Sequence, residues 1–104
     1  MGRTRNYREV LLADLREDPE LAAEYITASI QEGMDAFLVA IKDVIDARGG
    51  GTEFSAETGV PRESIYKMFK EGANPTIKNI VKALDFADLR LNIVPKNHGQ
   101  TLSE

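Results

Sequence analysis

Apolar residues recur every three or four positions along most of the chain, which is the spacing of one face of an α-helix. The first such stretch starts at Tyr7, and Asn6 stands before it as an N-cap. The second starts after Asp18, another good N-cap, with Pro19 at the first helical position and Gly33 as a stop signal. The pattern therefore predicts two helices in the N-terminal third of the chain.

The most hydrophobic segment, MDAFLVAIKDVIDA, is predicted to form the central core helix. Its acids Asp43 and Asp46 are expected on the solvent side of that helix. The glycines of RGGG, residues 48–51, are predicted to end it, because each costs about 1 kcal/mol relative to alanine inside a helix. A phosphate-binding loop is disfavoured here, since no strand precedes these glycines and no Gly-Lys-Ser/Thr follows them.

Short elements follow this glycine run. EFSAET is predicted to be a helix capped by Thr52, and RESIYKMFKE a second helix that continues to Gly72. Thr76 is predicted to cap a last helix, IKNIVKALDFA, in which Ile77, Ile80, Val81 and Leu84 face inward. In LRLNIV the period changes from 3.6 to 2, which predicts a short half-buried β-strand over residues 89–94. Residues 95–104 are predicted to be a flexible tail.

The charge is divided unevenly along these elements. The 104 residues suffice for one ordinary domain, and their net charge of −4 argues against indiscriminate binding to nucleic acid. However, Val60 to Leu84 contains five cations and two anions, a net +3. Tyr25 to Gly59 contains two cations and six anions, a net −4. An anionic partner would therefore meet the basic segment.

Several classes of site are excluded by composition. The chain has no cysteine, and its single histidine, His98, cannot build a histidine metal site alone. Asp43 and Asp46 have no histidine or cysteine near them in the sequence to suggest acid–base catalysis. We therefore predict no catalytic residue, no metal ligand and no cofactor. No apolar run approaches the roughly 20 residues that span a bilayer, and MGRTRNYREV lacks a secretory apolar stretch, so we expect a cytoplasmic protein without a membrane partner.

The segment FSAETGVPRESIYKMF has the residue types of a helix-turn-helix. Phe54 would anchor the first helix, Gly59 can adopt the positive φ of the sharp turn, and Val60 would fill the angle between the helices. Ile65 is among the apolar residues that would bury the second helix. The remaining positions are predicted to face outward: Arg62, Glu63, Ser64, Tyr66, Lys67 and Lys70.

This outward face suits the major groove of DNA. Arginine pairs in bidentate fashion with guanine, hydroxyl groups reach phosphates or base edges, and lysines neutralise the backbone. Two interpretations stay open for Tyr66, which either contacts DNA or packs against a neighbouring helix. A solvated surface helix is the alternative for the whole segment, because any exposed helix can carry lysines.

The chain resembles the helix-turn-helix antidotes of addiction modules, related to HigA-type antitoxins and to the Cro/repressor-like class. RESIYKMFKEGANPT carries the most specific part of the resemblance, which runs from residue 7 to residue 94. Two positions depart from the pattern: Pro61 stands where a serine-like cap is common, and Asp88 stands where a glycine usually ends the last helix.

The resemblance implies a protein that binds its own operator, a double-stranded DNA, as a homodimer and neutralises a small basic toxin of the RelE/HigB type encoded beside it. It places these residues on the recognition helix: Arg62, Ser64, Tyr66 and Lys67. It places these near the phosphate backbone: Lys70, Asn74, Thr76 and Lys78. The acidic helices between Tyr7 and Asp46 are the expected toxin contact, because RNA-cleaving toxins tend to be basic.

The sequence thus predicts an all-α domain of the repressor-like helix-turn-helix type. Residues 1–33 form an N-terminal helical extension, residues 34–88 the helix-turn-helix core, and residues 89–94 a strand that pairs with its two-fold mate in a homodimer. Two other functions compatible with this fold are an interaction module that does not bind DNA and a phage-type repressor without a toxin partner.

Overall fold

The computed structural model describes residues 6–96, which contain six α-helices and no β-strand. In chain order the helices are α1 (Tyr7–Glu17), α2 (Pro19–Glu32), α3 (Met34–Ala47), α4 (Gly50–Thr58), α5 (Arg62–Met68) and α6 (Ile77–Phe86). The predicted all-α class is confirmed. None of the helices in the described range is long and apolar enough to span a membrane.

Three predicted caps start their helices as expected. The Asn6 side chain accepts a hydrogen bond from the N–H of Arg8 at 2.7 Å. The Asp18 and Thr76 side chains each accept one at 3.1 Å from the backbone N–H three residues further on. Each bond satisfies an N–H that has no partner inside the helix, so the start of the helix is encoded within a few residues.

Helix α3 is the centre of the fold, as its hydrophobicity predicted. It lies against α1, α2, α4 and α6, and its Leu38 and Ile45 are fully buried. Phe54 of α4 and Ile65 of α5 complete this core from the other side. The Phe54 ring meets Phe86 edge to face, with ring centroids 5.2 Å apart, a favoured aromatic geometry.

The predicted start of α4 at Thr52 is wrong. The helix begins at Gly50 and its N-cap is Gly49, whose φ of 112° lies in the left-handed region. A Cβ added at Gly49 would clash with Cγ of Glu53, so both this contact and the positive φ favour glycine where the chain reverses. Helix α3 ends at Ala47, just before this run, and Gly50 and Gly51 are the first residues of α4.

The predicted C-terminal strand is also wrong for the described structure. Residues 89–94 have no strand partner, and Ile93 and Val94 are 87% and 68% exposed. Alternation of apolar and polar residues is only half of what a strand needs, because its backbone must also pair with another edge, and the described residues of this chain provide none. Of the predicted flexible tail, residues 97–104 lie outside the described residues.

Asp88, which stands where a glycine usually ends the last helix, has a left-handed backbone conformation that glycine favours. Its φ is 65°, the one left-handed non-glycine residue in the described range. Its N–H bonds the carbonyl of Asp85 at 3.0 Å, and the N–H of Leu89 bonds that of Leu84 at 2.8 Å. An aspartate therefore takes the turn at the end of α6 that glycine usually takes, which is tolerated because aspartate visits this region more often than most residues.

Candidate nucleic-acid interface

Helices α4 and α5 are joined by a tight turn that the side chain of Thr58 stabilises. Thr58 Oγ1 donates to the carbonyl of Phe54 at 2.7 Å and accepts from the N–H of Val60 at 3.2 Å. Gly59 has a φ of 81°, and its N–H bonds the carbonyl of Ser55 at 2.9 Å. The positive φ predicted for Gly59 is thus confirmed, and Val60 is buried as expected.

Helix α5 buries one side and exposes the other. Ile65 and Phe69 are buried, while Arg62, Tyr66 and Lys67 are exposed. Its N-cap, Pro61, makes no side-chain cap bond, as the sequence implied. The helix ends at Met68, so the predicted continuation to Gly72 is wrong.

The chain turns after α5 and is tied back to the start of α3. Gly72 has a φ of 81°, and its N–H donates to Oδ1 of Asp35 at 3.0 Å. This bond crosses 37 positions of sequence. It holds the loop between α5 and α6, which contains Asn74 and Thr76, close to the start of the core helix α3.

An open groove of about 550 Å³ lies between α5, this loop and the start of α6. It brings together four of the predicted site residues: Ser64, Lys67, Asn74 and Thr76. The other four predicted residues, Arg62, Tyr66, Lys70 and Lys78, do not line the groove but are exposed on the same two helices and their connecting loop. Ser64 itself is only half-exposed.

Two residues of the groove were not among the predicted site residues. Asn79 and Lys82 of α6 line it beside Lys67. A signal for them was present, because Thr76, Asn79 and Lys82 are spaced by three residues and therefore share one side of a helix. Because Asn79 and Lys82 line the groove, a ligand bound there can reach them as it can reach the predicted residues.

The cations of this region take part in no ion pair within the described residues. They are Arg62, Lys67, Lys70, Lys78 and Lys82. Lysine and arginine side chains that make no ion pair in the described structure are available to bind an anionic partner from solution. The α5–α6 region is therefore an exposed basic surface on an otherwise acidic protein.

Tyr66 contacts a residue of the neighbouring helix α3, as one of the two interpretations held, and its contact with DNA stays a prediction. Its side chain is 53% exposed, so it stays accessible on the outer face of α5. One face of its ring lies under Nζ of Lys42 from α3, which is 5.4 Å from the ring centroid. This distance lies within the range of a cation–π interaction.

Asp43, predicted on the solvent side of α3, is instead buried, with 5% exposure. Its carboxylate accepts from Nη1 of Arg8 at 2.9 Å and from the hydroxyl of Tyr25 at 2.6 Å. Desolvation, with the hydrogen bond to Asp43, raises the pKa of Tyr25 to about 12. The prediction failed because α1 and α2 cover this side of α3 and bring a guanidinium to the carboxylate.

A second carboxylate extends this network toward solvent. Asp46 accepts from Nη2 of Arg8 at 2.8 Å and from Nζ of Lys42 at 3.1 Å. The hydrogen bond to Asp43 is the largest cause that raises the pKa of Arg8 above its usual value. The two acids are thus bound to cations of the same chain, and the described residues hold no cluster of three or more potential metal ligands.

The family of the chain follows from a match over nearly its whole length. Residues 6–95 match the model of a family described as probable addiction module antidote protein. The chain belongs to this family of probable addiction module antidotes. The matched range contains all six helices and every predicted DNA-binding residue.

Membership in the antidote family indicates an antitoxin role in an addiction module, and therefore a toxin as partner. The more specific relation to HigA-type antitoxins stays a prediction. No curated protein and no solved structure matches the chain significantly.

Proposed function

We propose that this antidote is a sequence-specific DNA-binding repressor in the cytoplasm that controls the operon of its own addiction module and neutralises the toxin of that module. The described core then acts as a repressor-like helix-turn-helix domain with α5 as its recognition helix. Its work is binding and not catalysis, in keeping with the description of its family as antidotes.

The exposed basic surface of α5 and α6 is the observation that carries the DNA-binding part. Five cations that make no ion pair in the described structure lie on α5, α6 and their connecting loop, and two of them, Lys67 and Lys82, line a groove whose hydroxyl and amide groups can meet phosphate oxygens. Arg62, at the first position of α5, has the side chain that reads guanine by two parallel hydrogen bonds. Phosphate contacts would come from the lysines, and base reading from Arg62 and Tyr66.

Fluorescence anisotropy tests this part directly. The probe is the DNA upstream of the gene itself, compared with scrambled DNA of equal length at two salt concentrations. We expect tight binding to the upstream DNA alone, with affinity that falls as salt rises because cations release phosphate counterions. Equal binding to both DNAs, or none with the protein folded, would support the interaction module that does not bind DNA.

A homodimer is the assembly that we propose for DNA binding. Two copies related by a two-fold axis place two recognition helices about 34 Å apart, the spacing of half-sites one helical turn apart. Apolar residues suited to such contact are exposed at the end of α2, at the start of α3 and in the C-terminal segment, where Ile30 and Leu91 line one cavity and Ile30 and Met34 another. These exposed residues are Ile30, Met34, Leu91, Ile93 and Val94. Exposed apolar patches of this kind mark interaction sites.

Light scattering after size exclusion checks the assembly. We expect the mass of two chains at micromolar concentration. Ile93→Lys, which puts a charge among the exposed apolar residues, is expected to give monomers that are as helical as the wild type. A monomeric wild type at that concentration would contradict the proposal.

Toxin neutralisation is assigned to α1 and α2, as the resemblance implied. From Asn6 to Gly33 there are seven anions and two cations, a net charge of −5. Acidic side chains are exposed on both helices, including Glu17, Glu20 and Glu24. A basic toxin of the RelE/HigB type would be attracted to this surface, and like-charged proteins would be repelled.

Charge reversal tests this surface. Glu17, Glu20 and Glu24 are changed together to lysine, while Asp18 is kept because its side chain caps α2. We expect weaker capture of the protein encoded by the adjacent gene. The matched control reverses Glu53 and Glu57 on α4 and is expected to leave capture unchanged. If no toxin-like gene lies beside this one, the phage-type repressor is favoured instead.

A further inference from the structure

A continuous series of polar contacts connects the N-terminal helix α1 to the outer face of the recognition helix α5. Arg8 bridges Asp43 and Asp46 at 2.9 and 2.8 Å. Asp46 also binds Nζ of Lys42 at 3.1 Å, and Nζ of Lys42 lies 5.4 Å from the centre of the Tyr66 ring. Three helices, α1, α3 and α5, thus share one chain of contacts.

The contacts at the two ends differ in strength. The Arg8 guanidinium uses two of its nitrogens on two carboxylates, and Asp43 is almost completely buried. Charge-assisted hydrogen bonds of this kind fix geometry well. Lys42 has a flexible side chain, and Asp46, itself held by Arg8, defines where its ammonium lies. The position of the charge above the Tyr66 ring therefore depends on a residue of α1.

Few backbone contacts hold α5 in place, which makes this side-chain link more important. Helix α5 has α4 as its one close helical neighbour by backbone distance in the described structure. A half-exposed tyrosine on so short a helix has several rotamers open to it. A cation that rests on one face of the ring favours the rotamers that keep that contact.

We infer that Arg8 and Lys42 are positioning residues for DNA recognition: Arg8 orients Asp46, Asp46 places the Lys42 ammonium, and the ammonium holds the Tyr66 ring in the orientation in which α5 reads DNA. This inference rests on the proposed DNA binding. It gives α1 a role in base reading although no residue of α1 lines the groove.

The first experiment needs no DNA. The aromatic proton resonances of Tyr66 are followed by NMR in the wild type, Arg8→Gln and Lys42→Met. We expect the Tyr66 resonances to shift in both variants. Arg16→Gln is the matched control, because it removes an equal charge from an exposed position of the same helix, and it is expected to leave them unchanged.

Circular dichroism shows whether each variant folds. If Arg8→Gln unfolds, Arg8→Lys takes its place, since a lysine keeps the charge but cannot bridge two carboxylates with a fixed fork. Unchanged Tyr66 resonances in a folded variant at position 8 would overturn the link between α1 and α5, whatever the protein does with DNA.

The second experiment is a double-mutant cycle on the upstream DNA. Lys42→Met is expected to weaken binding about two- to fivefold, the size of an exposed cation–π interaction. In the background of Tyr66→Leu it is expected to have no further effect, because the ring on which Lys42 acts is gone. The salt dependence of binding is expected to stay the same in Lys42→Met.

Two other outcomes would contradict the positioning role of Lys42 or the proposed DNA binding on which it rests. If Lys42 binds phosphate itself, its removal lowers the salt slope by about 0.9 and still weakens binding without Tyr66, which overturns the positioning role. If the wild type does not bind the upstream DNA, the proposed function fails and the DNA-reading role fails with it. The NMR result then still decides, independently, whether the contact chain exists.

Discussion

Two groups of cations, Arg8 with Lys42 and the lysines of α5 and α6, show two different uses of positive charge. Arg8 binds Asp43 and Asp46 and so connects α1 to α3, and Lys42 binds Asp46 within α3. The lysines of α5 and α6 have no acid to bind within the described residues. The first group stabilises the fold, and the second is left for a partner.

The comparison explains why the net charge alone does not decide whether this protein binds DNA. A total of −4 suggests that DNA is an unsuitable partner. However, the described structure pairs Asp43 and Asp46 with cations of the same chain, and the field that a ligand meets is local. Salt screens charges more than about 10 Å apart, so the acidic N-terminal helices weaken the basic surface only moderately.

The largest expected effect is on the structural side of this comparison. Asp43→Ala is expected to lower the free energy of unfolding by about 2–4 kcal/mol, because Arg8 and the hydroxyl of Tyr25 lose their shared acceptor inside the protein. Denaturation by urea, followed by circular dichroism, measures it. Asp14→Ala, at an exposed position of α1, is the control and is expected to change stability by less than about 0.5 kcal/mol.

On the basic side, Arg62→Ala is expected to weaken binding to the operator by about 1–3 kcal/mol and to relax the preference for one base pair. Anisotropy titrations with the operator and with single-base variants of it provide the measurement. Stability should be unchanged, because Arg62 is exposed and makes no ion pair in the described structure. An undiminished base preference would show that Arg62 does not read the sequence.

Tyr25→Phe is expected to lower stability at neutral pH by about 1–2 kcal/mol through the lost hydrogen bond to a carboxylate. The pH dependence gives a sharper test. Since the folded pKa of Tyr25 is raised from 10.0 to about 12, its stabilising contribution is complete below about pH 10 and is lost as the pH rises toward 12.

Urea unfolding at about pH 9 and about pH 11.5 measures this dependence. The wild type is expected to lose more stability between the two than Tyr25→Phe, because phenylalanine has no proton to release in the unfolded chain. Equal losses in the two proteins would mean that the pKa of Tyr25 is the same in the folded and unfolded states.

The smallest effect concerns a single phosphate contact. Lys70→Ala is expected to weaken binding to all DNA sequences about equally, by less than about 1 kcal/mol at physiological salt, and to lower the slope of log affinity against log salt by about 0.9. Titrations at four salt concentrations measure the slope. Identical slopes for wild type and variant would remove Lys70 from the basic surface that contacts DNA.

Much of the fold was predictable, because its signals are local. Asn6, Asp18 and Thr76 cap helices through bonds to residues two or three positions away, and Gly59 turns the chain through its own φ. The failures at this level have local causes too. Gly49 takes the place of Thr52 as the N-cap of α4 with a positive φ that favours glycine, and α5 ends at Met68, before the glycine that was expected to stop it.

The candidate site was predictable only in part. The eight predicted residues lie on α5, α6 and their connecting loop, but four of them line the groove, and Asn79 and Lys82 join them there. Which residues meet in a groove depends on how α5 is placed relative to α6. The spacing within each helix specifies its own exposed side and contains nothing about the angle to its neighbour.

The sequence by itself determined the starts of the helices capped by Asn6, Asp18 and Thr76, the turn at Gly59 and the segment with an excess of positive charge, since these depend on residues close together in the chain. Only the tertiary structure decided that Asp43 is buried, that Arg8 lies beside it, that Lys42 rests on Tyr66, and that residues 89–94 remain without a strand partner. Arg8 and Asp43 are 35 positions apart, and such contacts arise from the packing of whole helices around α3. No local pattern encodes that packing.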